Sequence, residues 1–230
     1  MVKWIDVLYH NPIVSRVFHT SVYCLKRELT GCRTVLDLGC GPDSPIRHCA
    51  VPYSVGVDAF QPYLDASREK KIHSGYILAD ITSLEFPLQS FDAVMMVEVL
   101  EHMPTEEGRM LLDKVERWAS KKVIVSCPNG YLPQHSIDGN PFQEHRSGWT
   151  VDEMNRRGYR AWGMAGWKFL RKENETQTVG DTNAIYATVR FRPKLFWLIV
   201  SELTQAITYF SPKLAFEVFY VKEIGMDTLK

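Results

Sequence analysis

Thr34-Val35-Leu36-Asp37-Leu38 is a short, nearly continuous apolar run that feeds directly into Gly39-Cys40-Gly41-Pro42-Asp43-Ser44. Such a run reads as a parallel strand buried on both faces. A glycine-rich turn straight after a first strand lets the backbone approach a nucleotide closely, because a side chain at Gly39 or Gly41 would fill that space. Ser44 stands where the dinucleotide fingerprint has its third glycine, and Pro42 lies inside the turn. No lysine follows, so a phosphate-binding P-loop is not supported.

The chain then alternates. Residues 53–57 read as a strand, 62–72 as a helix, 76–79 as a strand, 92–97 as a strand, 105–119 as a helix and 122–126 as a strand. Alternation at this spacing means crossover units, hence a parallel sheet with helices on both faces. Ahead of it, Ile13, Val14, Val17, Phe18, Val22 and Leu25 share one face of a helix over 3–29, ended by Thr30-Gly31. Beyond it, 127–148 is a long irregular stretch of the kind that carries function. Thr150 and Glu153 form a capping box that opens a short helix. Residues 159–164 read as a strand and 183–210 as mostly helical, closed by Pro212, with 184–190 as an alternative strand. Residues 216–221 read as the last strand.

Lys plus Arg number 27 and Asp plus Glu number 27, so the net charge is zero and no general basic face exists to grip nucleic acid. The five cysteines are odd in number and none has a Cys-x-x-Cys spacing, so neither a disulfide scaffold nor a structural zinc site is expected, and no metal ligand set is read. A reducing, cytoplasmic home follows. The apolar stretch 195–210 is too short and too interrupted to span a bilayer; it reads as a helix packed on the sheet, with a dimer face or peripheral membrane contact as the lesser readings.

Six further residues carry candidate chemistry. Asp58 ends the second strand, where a carboxylate can accept both hydrogen bonds of a ribose diol. Asp80, after the third strand and before Ile81, can accept an adenine amino hydrogen, although Asp also caps helices. Glu98, Glu101 and His102 crowd the mouth of the strand ending near Val97, and a helical turn there would put Glu98 and His102 on one face. A histidine near neutrality suits a general base. His145 closes the long loop just before a helix, where a lid would contribute residues. For His102 and His145 a purely structural loop role is an equal reading.

In order and motif the chain resembles the class I S-adenosylmethionine-dependent methyltransferases. The string Glu98-Val99-Leu100-Glu101-His102 resembles their small-molecule branch, with a type 11-like methyltransferase domain, which includes ubiquinone-pathway O-methyltransferases. The resemblance implies a Rossmann-like, doubly wound α/β fold. Its seven-stranded sheet is mostly parallel with an antiparallel last strand, flanked by N-terminal helices and a helical insertion near the C-terminus. One domain over 1–230 follows: a helical extension over 1–30, a cofactor-binding half over 33–127 and a substrate-side half over 128–230. By the same resemblance Asp37, Gly39 and Gly41 cradle the methionine part of S-adenosyl-L-methionine, and Asp58 holds the ribose with Ala59 beside the adenine. Asp80 and Ile81 read the adenine edge, Val97 offers its carbonyl to the cofactor's amino group, and Glu98 lies on the cofactor side. Gly41-Pro42-Asp43-Ser44-Pro45, His145-Arg146-Ser147-Gly148-Trp149-Thr150 and Gly166-Trp167-Lys168-Phe169-Leu170-Arg171 resemble methyltransferases associated with surface polysaccharides.

The expected activity is therefore methyl transfer to a small-molecule, glycan or lipid-linked acceptor, at oxygen, by a monomer or homodimer. His102 and His145 are the candidate bases. A non-catalytic cofactor-binding module is the alternative, and a nicotinamide-dependent oxidoreductase a more distant one, opposed by the missing third glycine. Four of the six tryptophans, Trp149, Trp162, Trp167 and Trp197, lie beyond residue 148. They suit either an aromatic acceptor wall or a core.

Overall fold

The computed structural model describes residues 19–136, 139–172 and 188–225. Its seven strands are β1 (Thr34–Leu38), β2 (Tyr53–Asp58), β3 (Gly75–Leu78), β4 (Phe91–Val97), β5 (Ala119–Pro128), β6 (Arg160–Trp167) and β7 (Ala215–Glu223). They form one sheet in the order β3-β2-β1-β4-β5-β7-β6. The pairs β1–β2, β1–β4, β2–β3 and β4–β5 are parallel. Strand β7 is antiparallel to both β5 and β6, as the expected antiparallel last strand requires.

Burial on both faces explains the continuous apolar runs. Leu36, Leu38, Val94, Met96, Val123 and Val125 face one core. Val35, Ala93, Met95 and Ile124 face the other. Successive strand side chains alternate between faces, so an uninterrupted run supplies both cores at once. On the first face pack helix α3 (Thr105–Trp118), through Leu111, Leu112, Val115 and Trp118, and helix α4 (Val151–Arg156), through Val151 and Met154. Helix α1 (Ser21–Glu28) covers the second face through Cys24 and Leu25. Helix α2 (Gln61–Glu69) bridges β2 and β3, and helix α5 (Lys194–Thr208) inserts between β6 and β7.

Three readings need correction. The expected helix over 3–29 is not continuous where it is described: His19 has a positive φ of 25°, and the Thr20 side chain caps α1 by accepting from the Tyr23 N–H. Residues 1–18, carrying Ile13, Val14, Val17 and Phe18, lie outside the described residues. Residues 188–193 are not helical; Val189 forms an antiparallel bridge with Arg171, and α5 starts after Pro193. The rest of 183–187 lies outside the described residues. Finally, the turn after β4 is not an α-helix. Glu98 adopts φ 55°, and a 3-10 turn covers Leu100–His102, so Glu98 and His102 do not share a helical face. Half of the expected capping box is present: the Thr150 hydroxyl oxygen accepts from the Glu153 N–H at 3.2 Å, while the Glu153 carboxylate accepts from Arg109.

Candidate active site

A cleft opens along the carboxyl ends of β1, β2, β3 and β4. That edge is where open α/β sheets bind ligands. Its wall includes Gly39, Gly41, Asp58, Ala59, Asp80, Ile81, Glu98 and His102, eight of the eleven positions expected from the sequence. Asp37, Val97 and His145 are not part of that wall.

The two glycines work differently. Gly39, at φ +66°, sits so close to Val99 that an added Cβ would lie 2.6 Å from the valine Cγ2. Gly41, at φ +57°, faces open space with nothing within 4 Å of such a Cβ. One glycine permits the tight turn and the other leaves the cleft floor clear. Asp37 acts from beneath. It is buried on β1, where its Oδ2 accepts from the Ser44 hydroxyl at 2.5 Å and lies 3.5 Å from His73 Nε2. Burial pushes its carboxyl up to about 7. Asp37 therefore braces the turn from the core side.

Asp58 ends β2 with both oxygens engaged. Oδ2 accepts from the Gly41 N–H and Oδ1 from the Phe60 N–H, each at 2.9 Å. Each carboxylate oxygen has a further lone pair, so a diol can still donate to it. Asp80 does what a short cap does, its Oδ1 accepting from the Thr82 N–H and hydroxyl at 2.9 and 2.8 Å. Its carboxylate nevertheless lies on the cleft wall.

At the mouth of β4 the polar groups are dense. The Ser126 hydroxyl donates to Glu98 Oε1 at 2.8 Å. Burial, with Glu101 beside it, raises the Glu98 carboxyl well above its ordinary range. Glu101 is 2% exposed, and burial lifts it to about 8. Its carboxyl meets the Glu98 carboxyl. His102 is held neutral: burial, with His145 nearby, lowers it to about 4. His145 reaches the same place from the long loop, its ring centroid 4.8 Å from that of His102. The loop is latched to β4's mouth by backbone bonds. The N–H groups of Arg146 and Ser147 donate to the Glu101 carbonyl at 2.7 and 3.1 Å. The Ser147 hydroxyl also donates to the Leu100 carbonyl. Trp149 is fully buried and donates its indole N–H to Ser147, so it is core rather than acceptor wall.

The loop also brings Asn140, Phe142, Gln143 and Arg146 onto the cleft wall, opposite Met103, Pro104 and Glu107. The sequence marked the loop as a whole, and no motif distinguishes Asn140, Phe142 and Gln143 within it.

Residues 36–127 match the family model described as "Methyltransferase domain". Over those residues the chain is similar to a methyltransferase domain, and its seven-stranded sheet is the fold of S-adenosylmethionine-dependent methyltransferases. Over 113 residues the chain is 29% identical to (S)-coclaurine N-methyltransferase of Thalictrum flavum subsp. glaucum, covering 45% of this chain and 30% of that protein. It is 24% identical over 113 residues to (S)-tetrahydroprotoberberine N-methyltransferase of Eschscholzia californica, covering 45% and 31%. The chain thus spans under a third of the length of the curated relatives it matches. A solved SAM-dependent methyltransferase from Archaeoglobus fulgidus shares the fold with a TM-score of 0.51 at 16% identity, over 92% of this chain and 98% of that one.

The cofactor of the methyltransferase domain is S-adenosylmethionine, and the cleft fits it. Open floor lies in front of Gly41, and carboxylates on β2 and β3 suit ribose hydroxyls and a base amino group. Gly39, Gly41, Asp58, Ala59, Asp80 and Ile81 line that cleft and are the residues that would hold it.

Proposed function

We propose that this chain transfers a methyl group from S-adenosylmethionine to a small-molecule acceptor at oxygen, with His102 and His145 relieving the acceptor of its proton. The observation that supports this reading is the seat of His102 on the wall of the glycine-floored cleft, with the His145 ring behind it at 4.8 Å between ring centroids. When bound, the cofactor supplies an electrophilic methyl group on a sulfonium centre. The protein's own work is then to orient the acceptor, exclude water and receive a proton. A neutral imidazole at pH 7 can accept that proton, and His102 is neutral there.

A second reading, methylation at nitrogen, is supported by the printed names of the relatives, which are N-methyltransferases. For a lipid-linked acceptor the support is a stripe of exposed apolar side chains on and just beyond α5: Phe196, Ile199, Leu203, Ile207 and Phe210. No described helix is long and apolar enough to cross a membrane. Liposome flotation that leaves the protein in the aqueous fraction removes the membrane contact.

Calorimetry tests the cofactor. Wild type should bind S-adenosylmethionine in the micromolar range, about −8 kcal/mol, and Asp58→Ala and Gly39→Arg should both lose it. Labelled methyl transfer to a panel of hydroxyl and amine acceptors then tests the chemistry. His102→Ala should lower turnover by about 10²–10⁴ at unchanged cofactor affinity. A folded wild type without affinity for the cofactor would overturn the reading.

A further inference from the structure

We propose that Glu101, His102 and His145 form a binding site for one divalent first-row transition cation at the acceptor end of the cleft. One ligand atom from each of the three residues lies within 4.8 Å of the others. A bound cation needs ligand atoms roughly 3.0–3.5 Å apart at bond lengths near 2.1 Å, so side-chain rotations on the order of 1 Å close the set.

Three independent features point to a cation. The first is a buried acidic pair: Glu101 is 2% exposed and its carboxyl meets that of Glu98. A buried carboxylate is ordinarily paired or coordinating. The second is the orientation of the imidazoles. Nδ1 of His102 points at the Glu144 carbonyl at 3.3 Å, and Nδ1 of His145 at the Leu132 carbonyl at 2.6 Å. A carbonyl can only accept, so each Nδ1 carries a proton. This is the outer-shell arrangement that prepares a histidine for a metal. The third is that the ligands are pre-assembled: the Glu101 carbonyl itself receives the two N–H groups that follow His145 in the chain.

The donor set selects the ion class. Two imidazoles and one carboxylate suit Zn²⁺, Co²⁺ or Mn²⁺ better than Mg²⁺ or Ca²⁺, which prefer all-oxygen ligands. Three protein ligands leave a coordination position open. His102 lies on the cleft wall, so that position opens to the acceptor. This inference rests on the methyl-transfer reading and refines it. An acceptor hydroxyl bound to the cation through oxygen breaks its O–H bond at lower pH and gives the proton to water. The two imidazoles then hold the cation and no longer take the proton themselves.

Untagged protein stripped with chelator and titrated calorimetrically with Zn²⁺ alone should take up one equivalent. Glu101→Gln, which keeps the shape and removes the charge, should weaken uptake at least tenfold, and so should His102→Ala and His145→Gln. Circular dichroism and S-adenosylmethionine binding establish that each variant is folded. Co²⁺ added to wild type should develop the intensified visible absorption of a nitrogen-containing site, a readout that needs no variant. If wild type binds S-adenosylmethionine but takes up neither ion, the metal site is wrong and methyl transfer with an imidazole base stands. The site is also wrong if all three folded variants keep wild-type uptake. If Zn²⁺ binds and the cofactor does not, the site stands and the methyl-transfer reading falls.

Discussion

Asp37 and His73 are a buried pair whose proton preferences oppose each other. Burial pushes the Asp37 carboxyl from 3.8 up to about 7, so the folded chain holds a proton there that the unfolded chain releases. That contribution to stability is fully present below about pH 4 and lost as pH rises toward 7. Burial pushes His73 from 6.5 down to about 4, so its contribution is present above 6.5 and lost as pH falls toward 4. In wild type the two slopes offset each other between about pH 4 and 6.5. Asp37→Asn leaves only the histidine slope. The variant should lose on the order of 2 kcal/mol more than wild type between pH 6.5 and 4.5 in urea denaturation. Parallel pH profiles for the two proteins would refute the assignment. The role of Asp37 under the turn was not legible in the sequence. Resemblance gave it to the cofactor, whereas its burial and its Ser44 and His73 neighbours are tertiary facts. Gly39, Gly41 and Asp58 were legible, because each is a local requirement of a strand end.

Among the elements, β6 lies at the edge of the sheet, where unpaired backbone groups need cover. Helix α5 supplies it with side chains. Gln205 is 4% exposed; its Oε1 accepts from the Gly166 N–H and its Nε2 donates to the Gly163 carbonyl, each at 2.9 Å. Thr204 Oγ1 accepts from the Trp167 N–H at 2.8 Å. Gln205→Ala should therefore cost about 2–4 kcal/mol, two buried backbone groups being left unpaired. Thermal unfolding checks the loss, and S-adenosylmethionine affinity should be unchanged, since the cleft lies at the other strands. The strands and α3 were readable from alternation, because period and burial agree there. The turn at Glu98 was not. Its left-handed φ depends on the Ser126 side chain and backbone across β5, which no window around residue 98 contains. Likewise 188–193 read as helical on apolar content, but Arg171 engages Val189 in a bridge.

At the scale of the molecule, the sheet divides two cores, and the cleft crosses the ends of four of its strands. Ligand binding there should stabilise the whole fold rather than one loop. S-adenosylmethionine at 100 times its Kd adds about 2.7 kcal/mol, which for a chain of this size raises Tm by roughly 5–10 °C. Differential scanning fluorimetry should show that rise for wild type and none for Asp58→Ala. An equal rise in both would place the ligand elsewhere.

The latch between Glu101 and the long loop is made by main-chain atoms: the Arg146 and Ser147 amides meet the Glu101 carbonyl. A main-chain tether is indifferent to the identity of most side chains that hang from it. Phe142, Gln143 and Arg146 line the cleft on the far side of that tether. Substitution at these three positions can therefore redraw which acceptors are admitted while the carboxylate and imidazoles stay in register. Variation in the cleft wall and preservation of the tether are thus assigned to the side chains and the main chain of one loop.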